Sequence, residues 1–384
     1  MNRKVVFAGL CLLAVLSVGW VLLAAKRQQK QPATTRPVEQ AKATDVTARI
    51  VAAANAFLAT LGDAGRAKVS FDFNSEQKRK WSNFPPGIYP RNGLRMGDLS
   101  TAQRDAVFAL LANALSQRGL QKVKEIMEGD EVLKRAETGL PDGPPGGPPP
   151  NAPPGGARPP DGPGRNFDPQ FGRDNYYIAL LGAPSLTEPW MIQFGGHHLA
   201  INVTVAGRSN VLTPSLPAAQ PAVYKLNSET VRPLARENDK GFALINSLDA
   251  SQQKQAILPY QVNNLVLGAG QDGKMVQPEG IKVSALNAAQ QEKLLDVVNE
   301  WVGILNDEQA AAKMAEVKGN LAETWFAWSG PTTNGSPAYF RIQGPTLWIE
   351  YSPQRMRGSG LDINHIHTIY RDPTNDYGAR LVNR

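Results

Sequence analysis

A capped amphipathic helix followed by a strand, a turn and a second strand occurs twice along this chain, and that recurrence restricts the fold more than any other feature. Leu99-Ser100-Thr101-Ala102-Gln103 opens a helical pattern carrying Val107, Leu110, Leu111, Ala114 and Leu115. Leu286-Asn287-Ala288-Ala289-Gln290 opens another carrying Leu294, Leu295, Val298, Trp301 and Leu305. Ser100 and Asn287 are natural N-caps, and Gln103 and Gln290 stand three residues on, where a capping box needs them. After the helices, Tyr177–Pro184 leads to Trp190–Phe194, and Trp325–Pro331 leads to Tyr339–Gln343, each pair turning through a Gly/Pro loop. The second strands run through Gly196 and Gly344 into Leu199–Asn202 and Leu347–Glu350, which sets His197 and His198 against Pro345 and Thr346, and Asn202 against Glu350. The expected fold is therefore α+β, two helix-plus-antiparallel-meander halves with an internal pseudo-repeat.

A membrane-spanning helix is expected in front of these halves. The run Val5–Ala25 carries no charge and lies between Arg3-Lys4 and Lys26-Arg27, long enough at ~1.5 Å per residue to cross a ~30 Å hydrocarbon core. Residues 1–27 thus read as a transmembrane anchor or signal segment, and 28–43 as a polar, Pro-containing tether. Residues 44–384 read as one α+β domain, starting with a helix that puts Val46, Ile50, Val51, Ala54, Phe57, Leu58 and Leu61 on one face. The Pro/Gly-rich insertion at 141–168 lacks the apolar residues needed to repay chain ordering and is expected to be disordered. The implied location is extracytoplasmic, periplasmic or at the cell surface, anchored by the first segment or secreted if that segment is cleaved.

The sequence has 384 residues, a net charge of +7 and one cysteine, Cys11, inside the apolar run. The folded part therefore has neither a disulfide nor a thiol nucleophile. Lys and Arg are scattered without basic runs interleaved with aromatics, so nucleic acid is not an expected partner. The expected partners are the membrane, through the first helix, and a small-molecule or envelope ligand.

All four histidines occupy two short motifs, Gly196-His197-His198 and His365-Ile366-His367. Residues two apart in an extended segment share a face, so His365 and His367 can present two imidazoles to one point while Ile366 packs on the other side. His197 and His198 would face opposite ways in a regular strand, so only one joins that point unless Gly195-Gly196 creates a bulge. Three imidazoles with Glu350 make a nitrogen and oxygen set suited to zinc, manganese, iron or copper, and Glu350 is a candidate ligand or general base. Asn202, Asp372 and Asp376 are candidate outer partners or reserve oxygen ligands. Arg341 is a candidate carboxylate or phosphate clamp, or else a salt-bridge partner of Glu323 or Glu350. Trp190, Trp325, Trp328 and Trp348 read as core or as a ligand groove. Histidines beside glycine also serve as plain hydrogen-bonders, so metal-assisted hydrolysis and a noncatalytic envelope binding module both stand as readings.

Gly196-His197-His198-Leu199 with Asn202, Tyr339-Phe340-Arg341-Ile342 with Gly344-Pro345, Ile349-Glu350, Asn364-His365-Ile366-His367-Thr368, Arg371-Asp372-Pro373 and Asn375-Asp376-Tyr377-Gly378 together resemble the domain-of-unknown-function 3500 family over roughly residues 54 to 378. The resemblance implies an exported bacterial protein and carries no catalytic assignment. The Pro/Gly insertion looks additional to the family pattern, and Thr213–Ala222 lacks an expected Gly-Ala-Asn, so that loop receives no role.

Overall fold

The computed structural model describes residues 45–138, 168–354 and 363–382. The anchor at 1–27, the tether at 28–43 and nearly all of the Pro/Gly insertion lie outside the described residues. The chain enters through α1 (Asp45–Ala59), α2 (Asp63–Val69), β1 (Ser70–Phe71) and β2 (Leu94–Arg95). Two helices follow, α3 (Thr101–Ala114) and α4 (Gln117–Thr138), and then four strands, β3 (Tyr177–Leu181), β4 (Trp190–Gly196), β5 (Leu199–Ala206) and β6 (Ser209–Pro217). A small hairpin of β7 (Tyr224–Leu226) and β8 (Glu229–Val231) leads to α5 (Ala235–Ile245) and α6 (Ala250–Ala256). The remaining elements are β9 (Ile281–Lys282), α7 (Ala288–Val302), α8 (Asp307–Gly319), β10 (Trp325–Ser329), β11 (Tyr339–Gly344), β12 (Leu347–Pro353), β13 (Ile366–Arg371) and α9 (Ala379–Val382).

The expected α+β fold of two helix-plus-antiparallel-meander halves is corrected by this topology to a mixed α/β fold built on one large sheet. The strands form one eleven-stranded sheet in the order β1-β3-β4-β5-β6-β13-β12-β11-β10-β9, with β2 also on β3. The sheet is mixed, because β1 runs parallel to β3 while the other pairs are antiparallel. Periodicity specifies strands and tight hairpins but not what lies beside the last strand of each run. Left as edges, β6 and β13 would expose unpaired ladder groups, and pairing them with each other removes both edges. Among the described residues no helix is long and apolar enough to cross a membrane.

Local signals act as their chemistry dictates. Ser100 Oγ accepts from the Gln103 N–H while the Gln103 side chain accepts from the Ser100 N–H, and Asn287 with Gln290 does the same at α7. One face of the sheet is covered by helices. Ile178, Leu180, Ile192 and Phe194 pack with α1, α3 and α4 in one core, and Phe326, Trp328, Phe340 and Ile349 pack with α5 and α7 in another. The alternate residues, Ala179, Leu181, Met191, Ala200, Trp348 and Ile369, point the other way and pack against Phe73, Trp81 and Leu267. That second face is thus roofed by the long irregular stretches 72–93 and 257–280 rather than by helices. Trp190, Trp328 and Trp348 are buried and Trp325 is half-buried, so the tryptophans are mainly core.

Candidate metal centre

The candidate site lies at the seam where β6 meets β13. His197 and His198 are the two turn residues of the hairpin between β4 and β5, whose flanking pair is Gly196 with Leu199. His198 takes φ +59°, a conformation uncommon for residues other than glycine. It is held there from both sides: its N–H donates to the Asn83 carbonyl (3.1 Å), and its own carbonyl accepts from the Ala218 N–H (2.9 Å). The next residue, Ala219, exchanges two hydrogen bonds with Ile366, both 2.9 Å. The chain leaving β6 therefore fastens the hairpin turn to the start of β13, where His365 and His367 stand.

Ile366 joins the helix-side core, so His365 and His367 face the loop-covered side, as residues two apart in an extended segment must. His198 Nε2 lies 2.7 Å from His365 Nε2, and His365 Nε2 lies 2.8 Å from His367 Nε2. The three residues can together hold a metal ion, one ring nitrogen from each lying within 4.8 Å of the others. An imidazole nitrogen has one in-plane position, occupied by either a proton or a lone pair. His365 Nε2 therefore cannot make well-directed hydrogen bonds to both neighbours in any tautomer, whereas a cation accepting three lone pairs satisfies all three rings. Tetrahedral zinc–nitrogen bonds of ~2.05 Å need nitrogens about 3.3 Å apart, so a bound ion would require the rings to separate by about half an ångström.

Two asparagines orient His367. Asn83 Nδ2 lies 3.3 Å from His367 Nε2, and Asn264 Oδ1 lies 3.1 Å from His367 Nδ1. Asn264 Oδ1 places the proton on Nδ1, as a ligating imidazole needs, while the Asn83 amide donates to the Nε2 lone pair, so a bound ion would take the position that Asn83 occupies. Asn83 and Asn264 come from the two loops that roof the sheet. Arg91 pins the first loop, its Nη2 donating to the carbonyls of Ser82, Phe84 and Gly196 at 2.7 Å each. Burial lowers the Arg91 pKa to about 10.

Burial also keeps His198, His365 and His367 uncharged. His198 is held well below the usual imidazole range by desolvation and then by the neighbouring rings. Desolvation lowers His365 to about 4 and His367 to about 3, with adjacent imidazoles adding to both. Neutral rings are what a metal requires of its ligands. His198 Nδ1 is buried without a hydrogen-bond partner among the described residues.

The remaining candidates are placed elsewhere. His197 stacks on His198, ring centroids 3.8 Å apart, but its Nδ1 is taken by Asp130 Oδ1 at 2.6 Å, and it is not part of the triad. Glu350 does not reach the histidines either. One carboxylate oxygen accepts from the Val266 N–H and Tyr339 hydroxyl, both at 2.7 Å, and the other from the Leu267 N–H (2.9 Å) and Trp348 Nε1 (2.7 Å). It anchors a roofing loop and has no acceptor position left for a metal or a substrate proton. Asp372 is bound by Lys313 and Arg380, and Asp376 by Arg371 at 2.7 Å. Asp376 is raised by burial to about 6. Arg341 pairs with neither Glu323 nor Glu350 but with Glu279 at 2.9 Å, while lying over the Trp348 ring. Asn202 is an internal strut, accepting from Gln193 and donating to the Pro214 carbonyl. Asn83, Asn264 and Asp130 were not evident from the sequence: each is an ordinary polar residue whose role comes from long-range placement.

No curated protein and no solved structure matches this chain. The family described as "Protein of unknown function (DUF3500)" matches residues 43–379, a span that includes the hairpin turn, both roofing loops and β13. The chain belongs to the DUF3500 family.

Proposed function

We propose that this chain is an extracytoplasmic metal-binding protein in which His198, His365 and His367 hold one divalent transition-metal ion. The observation that carries the reading is the pair of short contacts converging on His365 Nε2, which three neutral imidazoles cannot all satisfy with hydrogen bonds. Zinc fits the nitrogen donors, and so do iron and copper, whereas manganese, which prefers oxygen ligands, loses its case with Glu350 placed elsewhere. Three protein ligands leave room for water, and a bound cation supplies Lewis acidity and a hydroxide source near neutral pH. Metal-assisted hydrolysis is the activity that follows from such a centre. Its chain-derived requirements are ring orientation by Asn264 and solvent exclusion by the roofing loops.

A second reading, a noncatalytic ligand-binding module, draws support from the carboxylates. Glu350, Asp372 and Asp376 all bind other groups, and none stands beside the histidines as a general base. Extracytoplasmic placement rests on residues 1–27 and is tested by fusing a periplasm-dependent reporter after residue 43.

Metal analysis of the full chain decides the first point. One equivalent of transition metal is expected in the parent and in His197→Gln, with less than about a tenth of it in a still-folded His365→Ala/His367→Ala variant. Absence of metal from the parent after reconstitution with zinc would overturn the proposal. Retention of one equivalent by the double variant would place the metal elsewhere.

A further inference from the structure

The seam between β6 and β13 has two faces, and the histidine cluster takes only one. On the other face, Leu212 of β6 belongs to the core under α1, α3 and α4, and Tyr370 of β13 to the core under α5 and α7. Where these two cores abut, they leave a cavity of about 260 Å³ bordered by β6, β13, α8 and α9. Leu212, Val302, Leu305, Ala312 and Leu381 form its apolar wall.

Asn210 stands in the lining of this cavity. It lies two residues before Leu212 and pairs with Val205 across the ladder, and both neighbours belong to the helix-side core, so its side chain shares their face. Asn210 is 5 % exposed, and its backbone N–H donates to Gln309 Oε1 of α8 at 3.1 Å. Neither its amide oxygen nor its amide nitrogen has a hydrogen-bond partner among the described residues. Leaving a buried amide unpaired is costly, and an aliphatic side chain such as that of Leu212 would avoid the penalty. Tyr370 lines the same cavity, 3 % exposed, and no hydrogen bond engages its hydroxyl among the described residues. Burial, with the Asp372 and Glu316 charges adding to it, raises that hydroxyl well above the ordinary tyrosine range, so it stays a donor. The charged side chains of the lining saturate one another. Lys313 meets Asp372 at 2.6 Å and Glu316 at 2.9 Å, and Arg380 meets the same two carboxylates at 3.1 Å each. Two cations and two carboxylates cancel, which leaves the cavity without a charge to offer a ligand.

We propose that this cavity binds a small neutral ring carrying a cis amide, as in a lactam or a pyrimidine base. A cis amide presents a donor and an acceptor side by side, the pattern that an asparagine amide matches with two parallel hydrogen bonds. The ligand N–H donates to Asn210 Oδ1, its carbonyl accepts from Asn210 Nδ2, and the Tyr370 hydroxyl is a donor for a second carbonyl. The volume falls below the ~300–1,000 Å³ of pockets for drug-sized ligands, which limits the occupant to a single ring. The site lies on the opposite face of the sheet from His198, His365 and His367 and needs no metal.

The test is a ligand-observed NMR titration of the full chain with 2-piperidone, uracil and cyclohexanone. The lactam is expected to bind at least about ten-fold more tightly than cyclohexanone, which keeps the ring and the carbonyl but lacks the N–H. Tighter binding of uracil than of 2-piperidone would assign the pyrimidine, whose second carbonyl Tyr370 meets, and the reverse order would assign the lactam. In Asn210→Leu, which replaces the orphaned amide by an aliphatic group of similar shape, the fold is expected to persist and the lactam preference to vanish. Equal affinity of the parent for 2-piperidone and cyclohexanone, or no binding of 2-piperidone or uracil up to about 10 mM, would overturn the proposal. A preference for the lactam that survives in Asn210→Leu would overturn it as well.

Discussion

Replacing Glu350 by glutamine separates a structural carboxylate from a catalytic one. The parent carboxylate accepts four hydrogen bonds, two from backbone N–H groups of the loop at Val266 and Leu267 and two from the side chains of Tyr339 and Trp348. Glutamine keeps one acceptor oxygen and puts an NH₂ where the other stood. If the NH₂ takes the position facing Tyr339, the hydroxyl can rotate to accept from it, but the Val266 N–H is left facing a donor. In the other orientation neither the Leu267 N–H nor the Trp348 N–H can reverse its role, which is worse. One orphaned buried N–H costs about 1–3 kcal/mol, and charge-assisted bonds reduced to neutral ones add to it, for a total of about 2–4 kcal/mol. In a unit of this size that is a fall in Tm of roughly 3–6 °C. Thermal melting and urea unfolding read the loss, and metal content measured well below the melting range stays at one equivalent. A Glu350→Gln protein with the parent Tm that has lost its metal would refute the anchoring role and return Glu350 to the ligand set.

Two further predictions concern the imidazoles. For metal-free protein, the His365 and His367 pKa values of about 4 and 3 lie below the unfolded value of ~6.5, so the unfolded chain takes up protons that the fold refuses. The stability these rings contribute is full above pH ~6.5 and declines as pH falls from there toward their folded values. The urea midpoint should therefore drop across that interval, and the drop should be smaller in a His365→Gln/His367→Gln variant; identical profiles in the two proteins would count against buried neutral histidines. Asn264→Ala removes the group that holds the proton on His367 Nδ1, so zinc affinity measured against a competing chelator should weaken about 10–100-fold at unchanged stoichiometry, and unchanged affinity would show that the amide does not set the ring.

Local chemistry was legible in the sequence wherever a few neighbouring residues decide it. The capping boxes at Ser100 and Asn287 depend on side chains three positions away, and both form. The shared face of His365 and His367 follows from the two-residue period of an extended chain, and the buried Ile366 between them from the same period. What the sequence left undecided involves partners far apart along the chain. Neither the fusion of the two strand runs into one mixed sheet nor the choice of His198 over His197 is visible locally, because both depend on how Ala218 and Ala219 tie the β4–β5 turn to β13. The same holds for Glu350 and Arg341. Their types suggested ligand or clamp, but Glu350 is saturated by Tyr339, Trp348 and a loop more than eighty residues away in sequence, and Arg341 is claimed by Glu279. Periodicity determines which side of an element is buried, whereas the role of a polar group depends on which donors and acceptors the completed fold brings within about 3 Å of it, and only the tertiary structure decides that.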